Sequence, residues 1–109
     1  MLETIITKIL SQIPKHVEGL DRLNYIVDGI QQLTPQEIYI LQNKYKEFLL
    51  VMRKLNASDI ELGGFTSQNY VWFRVQGKKA PRHELGFWDV DQTDILCLSL
   101  ISPKQTELL

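Results

Sequence analysis

The sequence predicts an α+β fold, a helical N-terminal region followed by antiparallel strands and further helices, and two observations carry that expectation. Apolar residues recur every three or four positions as far as Leu55, then alternate with polar neighbours from Asn56 onward. A β-branched and aromatic run from Tyr70 to Val75 follows, which suits a pleated, half-buried surface better than a helix. The change of period near Leu55 and Asn56 divides the chain into a helical region, 1–55, and a strand-bearing region, 56–109.

Leu2, Ile5, Ile6, Ile9, Leu10 and Ile13 share one helical face, and Pro14 ends that first pattern. A second series runs from Leu20 to Leu33 after Gly19, with Asp21 as its expected N-cap and Gly29 as an internal weakness. The third helix carries the clearest punctuation. Thr34 supplies a capping oxygen, Pro35 fits the first helical position and Glu37 completes a capping box. Ile38, Leu41, Tyr45, Phe48, Met52 and Leu55 then form a seam that needs a partner surface, from the first two helices or from another protein.

Two strands are expected next, one around Ile60 and Leu62, the other from Tyr70 to Val75. Gly63-Gly64 and the polar stretch 66–69 reverse the chain between them, and Gly77 ends the second strand before a basic loop of Lys78, Lys79, Arg82 and His83. Trp88 to Ile101 reads as a helix capped by Asp91, and Ser102-Pro103 starts a terminal turn.

Composition narrows the function classes. A chain of 109 residues buries only a modest core, and a net charge of -1 lacks the broad positive field of a dedicated nucleic-acid binder. The single Cys97 excludes an internal disulfide and, among Ile95, Leu96, Leu98 and Leu100, is expected as a buried thiol in a reducing cytoplasm. Met1 leads into no basic n-region, and unbroken apolar runs reach about five residues, so neither export nor membrane insertion is expected. No Gly-x-x-x-x-Gly-Lys-Ser/Thr pattern occurs, so the chain itself is expected to bind no ATP and magnesium through a P-loop and to hydrolyse none. His16 and His83 are isolated and the carboxylates lack calcium-loop spacing, so no metal site and no catalytic residues are assigned.

Function is carried by two short stretches. Ala57-Ser58-Asp59-Ile60-Glu61-Leu62 and Trp72-Phe73-Arg74-Val75-Gln76-Gly77 resemble the paired strands of the domain that precedes the motor core in type IV pilus and type II secretion ATPases. That family typically shows Ala-Ser-Asp-Ile-His-Leu and Arg-Phe-Arg-Val-Asp-Gly there, so Glu61, Trp72 and Gln76 depart from the pattern. Trp88 to Leu109 resembles the helix and short turn that come next.

The resemblance implies a partial PAS-like unit over 56–109, whose sheet the family completes with later strands, so that either this sequence is a cut-down piece of the unit or its sheet is completed by other means, such as an added strand or a partner edge. It further implies the non-catalytic N-terminal region of a hexameric retraction motor, with ATP and magnesium belonging to the full-length protein. The implied partners are the chain's own motor domain, neighbouring subunits of a homo-hexamer and an inner-membrane pilus platform protein. The spacing from Asp59 to Arg74 is nearer the assembly and secretion branch, and the stretch from Trp88 nearer the retraction branch. Arg74, Ser58 and Asp59 are the candidates to face a nucleotide or partner, and Trp72, Phe48 and Trp88 the candidate interface anchors. Two alternatives stay open: Arg74 pairs locally with Asp59 or Glu61, and the chain is a stand-alone interaction or sensor module without a motor.

Overall fold

The computed structural model describes residues 1–63 and 68–100. It is an α+β chain, with helices α1 (Leu2–Leu10), α2 (Gly19–Gln31), α3 (Pro35–Lys54) and α4 (Val90–Leu98), and strands β1 (Asp59–Glu61), β2 (Trp72–Val75) and β3 (Lys78–Pro81). The chain forms two compact units, one built from Met1–Asn43 with the segment from Asp94 onward, the other from Lys44–Thr93. The units do not follow the change of periodicity near Leu55, because α3 and α4 each run from one into the other.

In the first unit the buried residues are Ile5, Ile6 and Ile9 of α1, Ile26 and Ile30 of α2, then Leu33, Leu41, Ile95 and Leu96, whereas Leu20, expected to open the apolar series of α2, is exposed. Gly29 is a contact point rather than a weakness, since a β-carbon there would stand 3.0 Å from the Ile9 side chain. Helix α1 stops at Leu10, short of Ile13. The amides of Gln12 and Ile13 reach back only three residues, to Ile9 and Leu10, and this tightening ends the α-helical ladder before Pro14 is reached. Helix α2 begins two residues before Asp21, which therefore sits in the first turn, where a carboxylate favours the positive helix end without capping it. Gln42 Nε2 donates to the Ser99 carbonyl at 2.9 Å, tying α3 to the end of α4.

The box at the start of α3 is formed as expected. The Glu37 amide donates to Thr34 Oγ1 at 3.2 Å, the Thr34 amide donates to Glu37 Oε1 at 2.9 Å, and Lys8 Nζ approaches Glu37 Oε2 at 3.6 Å. The backbone hydrogen bond at Thr34 and, after it, the charge of Lys8 hold the Glu37 carboxyl below its ordinary value of 4.5. A carboxyl depressed in the folded state contributes stability above its unfolded value and loses it as pH falls through the folded one. Thermal stability is therefore expected to drop on acidification below about pH 4.5, and Glu37→Gln is expected to flatten that part of a melting-temperature profile. A profile unchanged by the substitution would remove Glu37 from the acid response.

In the second unit β1, β2 and β3 form an antiparallel sheet in that order. Phe48, Val71, Phe73 and Trp88 are its large buried residues, with Trp88 edge-on to Phe48 at 5.5 Å. The third strand was not expected from the sequence. Gln76 and Gly77 both take positive φ, 51° and 78°, as a two-residue hairpin turn matching strand twist requires, so Lys78 and Lys79 turn back along β2 instead of entering a loop. At α4 the capping residue is Asp89, not Asp91. Asp89 Oδ1 accepts from the Gln92 amide at 2.8 Å and Gln92 Oε1 accepts from the Asp89 amide at 3.0 Å, which starts the helix at Val90 rather than Trp88. The expected reversal through 64–67 and the terminal turn at Ser102-Pro103 lie outside the described residues.

Candidate interaction face on the sheet

Antiparallel register decides what stands on the outer face of the sheet. Asp59 lies opposite Arg74 and Glu61 opposite Trp72 on one side of β2, while Lys79 lies opposite Arg74 and Pro81 opposite Trp72 on the other. Directly opposed residues share a face, so these six form two rows across the three strands. Phe73, between Trp72 and Arg74 in sequence, points the other way and is buried.

Ion pairs knit the rows together. Arg74 Nε donates toward Asp59 Oδ2 at 3.1 Å, and Arg74 Nη1 donates to the Gly77 carbonyl at 3.4 Å. Lys79 Nζ pairs with Glu61 Oε2 and lies 5.7 Å from the centre of the Trp72 ring. Asp59, Glu61, Trp72, Arg74 and Lys79 line a shallow hollow of about 80 Å³. Two carboxylates balance two cations, so the hollow carries no net charge to attract phosphate. These side chains remain one-third to two-thirds exposed, and solvent-screened pairs of this kind contribute about 0–1 kcal/mol each.

The two stretches singled out by sequence are thus adjacent, and Arg74, Asp59 and Trp72 share one face. Ser58 is a local brace: its amide donates to the Arg74 carbonyl at 2.9 Å and its hydroxyl to Asp59 Oδ2 at 3.2 Å. Phe48 and Trp88, expected as interface anchors, are in the core instead, at 0% and 5% exposure, with Trp88 Nε1 donating to the Leu85 carbonyl at 3.1 Å. Of the basic run, His83 packs edge-on to Tyr70, and Arg82 Nε comes within 3.1 Å of Glu84 Oε1 without the angle of a hydrogen bond. Lys79 and Pro81 stand on this face through β3, which was not expected, and Gly77 is the one residue of the turn whose type signals it.

Cys97 corrects another expectation, because it is exposed. Local desolvation and then the Asp94 carboxylate push its thiol above the ordinary value, which keeps it protonated and a poor nucleophile. Among the described residues no three His, Cys, Asp or Glu side chains gather to hold a metal ion, and no helix is long and apolar enough to cross a membrane. Comparison with protein-family models, with curated proteins and with solved structures finds no significant match to this chain.

Proposed function

We propose that the chain is a non-catalytic docking region of a hexameric, cytoplasmic pilus-retraction ATPase, and that its outer sheet face packs on a neighbouring motor domain. The observation that carries this reading is the register of β1 on β2, which sets the two family-like stretches side by side and turns Trp72 and Arg74 outward together. An indole face beside a guanidinium fork suits a protein surface offering apolar contact and carboxylates. ATP and magnesium then act in the motor domain, and this chain supplies no phosphate-holding loop. A second reading, a stand-alone interaction module, is favoured by the Arg74 to Asp59 pair, which already occupies the guanidinium locally.

The reading frame beyond the codon for Leu109 separates the two. A Gly-x-x-x-x-Gly-Lys-Ser/Thr segment following a strand there is the expected finding, and a stop codon or an unrelated domain would overturn the motor reading.

A further inference from the structure

A hollow of about 290 Å³ lies on the first unit, lined by Val17, Asp21, Asn24, Tyr25 and Asp28. Its four α2 residues follow the spacing i, i+3, i+4, i+7, so they form one exposed helical face on which two carboxylates flank an aromatic ring. The nearby Arg22 has its guanidinium turned back to the Val17 carbonyl at 3.4 Å. Leu20, one turn before Asn24, is 73% exposed. The face therefore combines apolar contact area with negative charge.

The second unit carries its complement. Lys46, Leu49, Leu50, Arg53 and Lys54 follow the spacing i, i+3, i+4, i+7, i+8 on the last turns of α3, and all five are exposed, Leu50 at 64%. Three cations surround a leucine pair there, with Glu47 at its edge paired to Lys44, whereas two carboxylates of α2 flank Tyr25 beside Val17, which precedes the helix. Like faces repel and unlike faces attract, so the charges disfavour a symmetric pairing of either face with itself. We propose that the α2 face of one copy receives the α3 face of a second copy, with Leu49 and Leu50 against the hollow and Lys46 and Arg53 toward Asp21 and Asp28. Because the two faces differ, the contact is head-to-tail and each added copy leaves one acidic and one basic face open for the next. It is separate from the sheet face and stands whether or not that face binds a motor domain.

Sedimentation velocity on the full chain tests this. The mass of the wild type is expected to rise with concentration at low salt and to fall as salt is added, since exposed charges are screened. Asp21→Lys with Asp28→Lys, and separately Lys46→Glu with Arg53→Glu, are each expected to weaken self-association about tenfold or more. An equimolar mixture of the two variants is the sharper trial. Each retains one intact face, and the two reversed faces are themselves opposite in charge, so the mixture is expected to restore the association that each variant alone has lost. A wild type that stays monomeric, reversals without effect, or variants that fail to pair on mixing would each overturn the proposal. Circular dichroism of both variants establishes that they are folded.

Discussion

Phe48→Ala is expected to cost the second unit about 3–5 kcal/mol, the range for truncating a fully buried aromatic side chain. Phe48 has no solvent-exposed surface and receives the edge of Trp88, so truncation removes apolar burial and leaves a void beside the indole. Lys44 Nζ, 5.8 Å from the Phe48 ring centre, also loses its aromatic neighbour. Denaturant unfolding followed by tryptophan emission reads both effects, as a lower midpoint and as altered emission from a re-exposed Trp88. A midpoint within experimental error of the wild type would show that the ring is not packed as described.

Gly63→Ala is the second substitution with a large expected effect. Gly63 has a φ of +70°, and a β-carbon added there would stand 2.6 Å from Thr93 Oγ1 and 2.7 Å from both Thr93 carbons. Left-handed backbone costs a residue with a side chain about 1–2 kcal/mol, and forcing extra volume into packed surroundings about 1–3 more. Thr93 is itself buried on α4, so it has little room to retreat. The double variant Gly63→Ala with Thr93→Ala separates the two causes. It is expected to recover only some of the packing part, because alanine keeps the β-carbon that stands 2.7 Å away, and to retain the backbone part, so full recovery would contradict the role of backbone conformation and no recovery the role of the contact.

The parts of this fold legible in the sequence are those in which one local rule decides the outcome. Thr34, Pro35 and Glu37 specify a helix start through side-chain chemistry within four residues, and the structure places the start there. The isoleucines of α1 and α2 are legible because helical spacing alone assigns them a face. Elsewhere two local rules competed. Asp89 and Asp91 are both able to cap α4, and the reciprocal bond to Gln92 selects Asp89. Gln76 is an uncommon choice for a left-handed turn position where Asn, Asp or Gly is the usual signal, so the hairpin and β3 were hidden by residue type.

The candidate site was partly legible for a related reason. Period-two alternation puts Trp72 and Arg74 on one face, and matching the two stretches puts Asp59 near them. The burial of Phe48 and Trp88 and the exposure of Cys97 depend on which neighbours fold over them, and apolar sequence context does not determine that. Lys79 reaches the face only through the turn at Gln76-Gly77, so missing the turn meant missing the residue.

The proposal that the outer sheet face docks on a neighbouring motor domain is tested most directly by sedimentation of the complete protein carrying Arg74→Ala, alone and with Trp72→Ala. Melting of the 109-residue chain with the same changes provides the control for folding. Both side chains are part-exposed, so the single change is expected to cost the isolated chain about 1 kcal/mol or less, while assembly of the complete protein weakens and its ATP turnover falls. Normal assembly and turnover in the double variant would contradict the docking role and leave the Arg74 to Asp59 pair as a local brace of the sheet.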